Sequence, residues 1–227
     1  MTSPPVLLSC LSLLVLTACG SQSHHPSRSG ASDLAALFKA HEVTVLLDEE
    51  VDLDLDHLSA YWREGRTHKR FLLAEGDLDL EHGEWTSLGA AYSASEDFLN
   101  LTFSGCRNFS YAHPRNSMLM LGPKNTLAQQ TQFLSELADP SARTIIVMTV
   151  TKLSGFPLSD KFKVVQYWTA STVMDSQRTR LTVGVKLFFM SETIFRRQIV
   201  GGTEAETKTL SESWARFLVN SFERLEL

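Results

Sequence analysis

Residues Thr179 to Met190 read TRLTVGVKLFFM, and their alternation decides the fold class. Leu181, Val183, Val185, Leu187 and Phe189 fall on one face, and Arg180, Thr182, Gly184 and Lys186 on the other. A period of two with one apolar side predicts a half-buried antiparallel strand. Just upstream, Lys161 to Val173 (KFKVVQYWTASTV) predicts a second long strand, and Asp175-Ser176-Gln177 the hairpin tip between them. Arg143 to Lys152 (RTIIVMTVTK) is β-branched and apolar on both faces, a third strand. Phe98 to Phe103 and Gln129 to Leu137 carry weaker strand patterns.

The periodicity changes downstream. Leu210, Trp214, Phe217, Leu218, Ser221, Phe222 and Leu225 recur at helical spacing, with Lys208, Glu212, Arg216, Asn220, Glu223 and Arg224 opposite. Gly201-Gly202-Thr203 predicts a turn and N-cap, with Glu206 completing a capping box. A shorter helix is expected near Asp54 to Arg63, where Leu55, Leu58 and Trp62 share a face. One domain over residues 40–227 follows, of α+β class, with a curved antiparallel sheet around a long terminal helix. A sheet curled around one helix can enclose an apolar cavity.

Composition bounds the function. The 227 residues hold 21 Lys+Arg against 26 Asp+Glu, a net charge of -5. That balance offers no electrostatic footprint for nucleic acid. No glycine-rich nucleotide loop or G-x-S-x-G elbow occurs. The seven histidines are scattered without metal-ligand spacing, so neither metal nor cofactor is expected. Asp52-x-Asp54-x-Asp56 starts like a calcium loop, but His57 stands where glycine is needed and Arg63 where the closing Glu is needed. The acids from Asp48 to Asp56 read as a solvated face. Cys106 and His113 lie seven residues apart, about 23 Å on an extended strand, too far for a catalytic pair. Arg63, Arg66, Lys69 and Arg70 form a basic cluster, read as a solvated loop or a phospholipid-headgroup contact.

Val6 to Ala18 (VLLSCLSLLVLTA) is apolar, uncharged and short for a bilayer span. It reads as a secretory leader cut after Gly20, a signal anchor, or a buried helix. Leu16-Thr17-Ala18-Cys19 is similar to a bacterial lipoprotein box. Residues 21–39 are assigned to a linker, Ser/His/Pro/Gly-rich at its start.

Three segments resemble the VASt domain, the StART-like lipid-transfer module of GRAM-domain, Aster and Lam proteins. They are Arg107 to Gln132 (RNFSYAHPRNSMLMLGPKNTLAQQTQ), Ser154 to Phe162 (SGFPLSDKF, with Pro157, Asp160 and Phe162 in the family's positions), and the tail from Ile199 through Gly/Thr to a helix containing Trp214. Gly76 to Trp85 resembles the family region that ends in Trp. Gly155-Phe156 stands where the family carries Asp-Val before the proline. No GRAM domain or following transmembrane helix is read, so the N-terminal run is the candidate anchor. The resemblance implies a helix-grip fold that binds lipid, with sterol the implied ligand. It also implies a membrane surface as partner and a place on the cytoplasmic face; a cleaved leader would imply the secretory route instead. No covalent chemistry is implied. The expected cavity wall comprises Ile146, Met148, Val150, Phe162, Val164, Trp168, Leu181, Val183, Val185, Leu187 and Phe189, closed by Trp214, Phe217 and Leu218 from the helix. Gly122, Pro123 and Lys124 are expected to form a mouth loop. A filled interior on the same scaffold would leave a protein-interaction module.

Overall fold

The computed structural model describes residues 30–88, 101–114, 125–138, 143–155, 157–173, 176 and 178–223. The elements are α1 (Gly30–Ala40), β1 (Thr44–Val51), α2 (Leu55–Glu64), α3 (Arg66–Ala74), β2 (Leu78–His82), β3 (Thr86–Ser87), β4 (Gly105–Pro114), β5 (Asn125–Ala138), β6 (Arg143–Ser154), β7 (Phe162–Thr172), β8 (Thr179–Phe189) and α4 (Arg196–Glu223). One eight-stranded sheet runs β1-β8-β7-β6-β5-β4-β2, with β3 also on β4. Every pairing is antiparallel. The expected α+β helix-grip architecture is present: the sheet curves, and its inner face holds α4.

The three long strands expected from the sequence are β6, β7 and β8. The tip between β7 and β8 lies mostly outside the described residues, yet their register runs without a break from Thr172↔Thr179 to Phe162↔Phe189. The chain ends meet in the sheet, because β1 pairs with β8. A register shift between Val45 and Leu47 bends that edge.

Helix α2 starts where Asp54 accepts the His57 backbone N–H at 2.8 Å. Gly65 ends it at φ +68°, a left-handed conformation, and α3 starts immediately. A Cβ at Gly65 would collide with the His82 ring and lie 3.0 Å from Arg107 Nη1. Only glycine therefore lets this helix junction sit against the sheet.

Several expectations change. The basic cluster is on helices, with Arg63 near the end of α2 and Arg66, Lys69 and Arg70 on α3. Arg63 is paired with Glu136. The acidic run is paired as well as solvated: Asp48 with Arg180, Glu50 with Arg178, Asp56 with Arg143. Gly201, Gly202 and Thr203 are inside α4, which begins at Arg196. Glu206 turns to His113 rather than back to a cap. Helix α1 overlaps the stretch assigned to the linker, and its Phe38 is buried. Around Phe98 to Phe103, the described residues 101–104 form no strand beyond an isolated bridge.

Candidate functional site

The sheet has two buried faces with different contents. On the inner face, Leu47, Leu134, Ile145, Val147, Trp168, Ala170, Leu181 and Val183 pack with Trp62 of α2, Phe71 of α3, and Trp214 and Leu218 of α4. On the outer face, Ile146, Met148, Val165 and Tyr167 pack with Phe38, Val43, Leu101 and Phe103.

This division places the expected wall residues on both faces of the sheet. Ile146, Met148 and Val150 belong to the outer cluster, away from α4. The inward residues of β6 are Ile145 and Val147, and then Thr149 by alternation. Leu181, Val183, Trp168, Trp214 and Leu218 lie together inside, with Phe217 packed against them. Phe162, Val164, Val185, Leu187 and Phe189 form a separate inner cluster with Ile199. The expected mouth residues Gly122, Pro123 and Lys124 lie outside the described residues, as does the N-terminal apolar run.

Between sheet and helix lies a cavity of about 40 Å³. Trp168 and Trp214 are the expected wall residues that line it; Trp62, His68, Phe71, Leu72 and Leu210 add an apolar and aromatic boundary. The Trp214 indole stacks on Phe217 at 5.7 Å and 13°, and meets Phe71 at 4.8 Å.

The remaining wall is polar. In register across the sheet, Arg107 (β4) faces Gln132 (β5), Gln132 faces Thr149 (β6), and Thr149 faces Gln166 (β7). These four side chains form one rung, and all line the cavity. The neighbouring rung holds Gln130 and Thr151. Gln130 donates to the Tyr111 hydroxyl at 2.7 Å, and Gln166 reaches Thr207 of α4 at 3.4 Å. The next rung the other way is apolar: Leu134, Val147, Trp168 and Val183. The inner face is thus striped.

Arg107 anchors the polar rung. It is 2% exposed. Its Nε donates to Gln132 Oε1 at 2.9 Å, and its guanidinium lies between the rings of Trp85 (4.3 Å) and Phe109 (4.7 Å). Its buried Nη1 has no hydrogen-bond partner. Burial lowers its pKa to about 9, against the opposing pull of Glu84, so the group is cationic at neutral pH. His68, beside it in the cavity wall, is pushed down to about 3 by burial and by the charge of Arg107, and is neutral. Some of the His68 residue reaches the surface, but its Nδ1 is enclosed and lacks a partner.

At one edge, His113 joins sheet to helix. Its Nδ1 lies 2.6 Å from Asp77 and its Nε2 3.1 Å from Glu206 of α4. The two carboxylates raise it to about 10, so both ring nitrogens donate. Cys106 and His113 occupy the same strand, and Cys106 is buried. A wider depression of about 520 Å³ lies elsewhere, rimmed by Asp54, Asp56, His57, Arg143 and Arg178. Asp54 pairs there with His57, Asp56 with Arg143, and Arg178 with Glu50 beyond the rim.

Arg107, Gln130, Gln132, Thr149 and Gln166 are the residues that sequence reasoning missed as a wall. The signal was present: Gln130 and Gln132 continue the period-two row of Leu134, and Gln166 lies between Val164 and Trp168 on one face.

Among solved structures, the chain is similar to TTHA0849 from Thermus thermophilus, at 8% identity and TM-score 0.44, with 79% of this chain and 98% of that chain covered. It is also similar to the Mll3558 protein from Rhizobium loti, at 11% identity and TM-score 0.38, with 77% and 95% covered. No protein of curated function matches the sequence. Residues 45–206 match the family described as the VAD1 Analog of StAR-related lipid transfer domain. That span runs from β1 into α4 and includes the polar rung. The chain belongs to this VASt family, whose StART-like domains bind lipid.

Proposed function

We propose that the domain takes up an apolar lipid between the inner face of its sheet and α4, and carries it by solvation alone, without covalent chemistry. Sterol is the ligand that the family resemblance implies. The observation that carries the reading is the unfinished state of the interior. A closed structural core meets its buried hydrogen bonds. Here Arg107 Nη1 and His68 Nδ1 stand without partners beside a cavity ringed by tryptophans.

Size sets a condition. Sites for ligands of this class span roughly 300–1,000 Å³, and the cavity holds about 40 Å³. Uptake therefore requires α4 and the sheet to part. Burial of apolar ligand surface would repay the opening at roughly 25 cal/mol per Å².

A membrane is the proposed donor and acceptor, with the cytoplasmic face as the location. The turn from β8 to α4 supports that contact. It exposes Met190 (69%), Ile194 (90%) and Phe195 (46%) directly before Arg196 and Arg197. Apolar side chains beside cations suit an anionic lipid surface.

The small volume favours a second reading, a closed StART-like scaffold that binds a protein partner. Lipid extraction separates the two. Protein purified from cells should carry lipid, and after delipidation should move a fluorescent sterol between vesicles. Protein free of lipid and inert in transfer would leave the interaction module.

A further inference from the structure

We propose that the domain docks end-on to an anionic bilayer, through the β8–α4 turn and a band of lysines on the outer face of β6, β7 and β8. The inference rests on the carrier reading above and names the surface and the lipid charge which that reading needs.

Strand alternation builds the band. Lys152 continues the outward row of Ile146, Met148 and Val150, and Lys163 continues that of Val165 and Tyr167. Thr151 pairs with Val164, and these two lysines are the next residues toward the end of the sheet. Lys163 pairs in turn with Phe188, and Lys186 stands two residues back on the same face of β8. The Lys163 and Lys186 ammonium groups lie 5.5 and 5.0 Å from the Phe188 ring centroid, which gathers two cations on one surface. The band then runs into the turn: the Met190 N–H donates to the Lys161 carbonyl at 2.7 Å, and Arg196 and Arg197 open α4.

This end keeps a positive excess on a chain of net charge -5. From Lys152 to Lys163 and from Gly184 to Arg197 the acids are Asp160 and Glu192, and Asp160 lies 3.8 Å from Lys161. Among the described residues, no carboxylate pairs with Lys152, Lys186, Arg196 or Arg197.

Apolar tips stand beside the cations. Met190, Ile194 and Phe195 are exposed on the turn, Ile194 at 90%, and Leu127 is exposed where β5 begins at the same end of the sheet. A protein partner would need a fitted pocket for such tips; a bilayer receives them without one, while its anionic headgroups meet the lysines. On the inner side of the turn, the partly buried Leu187 and Phe189 pack with Ile199 of α4. Docking here brings lipid to the seam between β8 and α4. Helix α3 also exposes Arg66, Lys69 and Arg70, but its one large exposed apolar residue is Leu73.

The test is sedimentation of the full chain with vesicles of phosphatidylcholine, with and without about 30% phosphatidylserine. Binding should require the phosphatidylserine and weaken at about 0.5 M salt. Lys152→Gln with Arg197→Gln should weaken it about 25-fold, about fivefold for each charge. Ile194→Ser with Phe195→Ser should weaken it at least about tenfold. Leu137→Ser at the opposite end, and Lys69→Gln with Arg70→Gln on α3, should leave it unchanged. If the variants fail to fold, the two vesicle compositions decide on the natural chain: the run Val6 to Ala18 carries no charge, so its insertion would not distinguish them. Equal binding to both vesicles, or to neither, overturns the proposal. So does binding that survives both changes at the turn and band, or that is lost with the α3 pair. Docking of this kind by a protein that carries no lipid supports the proposal and fails the carrier reading. Carried lipid without vesicle binding overturns the docking and leaves the carrier reading intact.

Discussion

The two faces of β6 show how one strand can serve two purposes. Its outward residues, Ile146 and Met148, meet Val165, Tyr167 and Phe38 in a cluster that seats α1 against the sheet. Its inward residues change character along the strand, from Ile145 and Val147 to Thr149 and Thr151. Both sides are buried, and the buried polar groups of the outer side include the hydroxyls of Ser135, Thr144 and Thr169. The inner side adds an arginine, a histidine and three glutamines around a small cavity. Hydrogen bonds within the sheet and from Gln166 to α4 offset part of their desolvation cost.

Six substitutions can break or sharpen that contrast. Trp214→Ala has the largest expected effect, roughly 3–5 kcal/mol of lost stability, because the indole contacts Phe71, Trp168 and Phe217. Calorimetry should register the loss, and lipid binding should change with it. Met148→Ala, on the outer face, should cost about 2–5 kcal/mol and leave lipid affinity untouched once the variant is folded. A change in affinity there would erase the distinction between the faces.

The His113 link tests how α4 is held. Its folded pKa is raised to about 10, above the unfolded value of about 6.5. Its contribution is therefore complete below pH 6.5 and is lost as the pH rises from there through 10. Melting temperature should fall over that window in the natural chain and fall less in His113→Ala. The same variant should cost about 1.5–3 kcal/mol at pH 6. Parallel pH curves would mean that His113 does not join Asp77 and Glu206 in solution.

Smaller effects should follow at two other places. Thr151→Val removes a buried hydroxyl that has no partner, and should stabilise by roughly 1 kcal/mol. Its melting temperature should rise without loss of fold. Gly201→Ala and Gly202→Ala meet open space inside α4, and each should add about 0.5–1 kcal/mol. If α4 bends at this glycine pair to admit lipid, uptake measured by stopped flow should slow in the double variant.

The fold was legible because its main elements carry unambiguous periods. In β8, apolar residues alternate with other types from Leu181 to Leu187, and α4 shows an apolar stripe through Trp214 and Leu218. Strand β6 is different: Ile145, Ile146, Val147 and Met148 are all buried, so alternation could not say which pair faces the helix. Ile146 and Met148, expected in the wall, lie on the face that packs against Phe38 of α1. Sequence reasoning also favoured apolar residues for an apolar site, which passed over Gln132, Thr149 and Gln166. Their common rung becomes visible only through strand register. Arg107 carried only part of the mark of its burial: Phe109 stands two residues along β4, but Trp85 comes from the β2–β3 connection.

The direct measurement is a titration of the delipidated protein with a fluorescent sterol and a fluorescent fatty acid, read through energy transfer from the tryptophans. The account predicts saturable one-to-one binding of at least one of them, with quenched tryptophan emission and weaker binding in Trp214→Ala. A linear, unsaturable response to both ligands would contradict it and leave the inner face permanently closed.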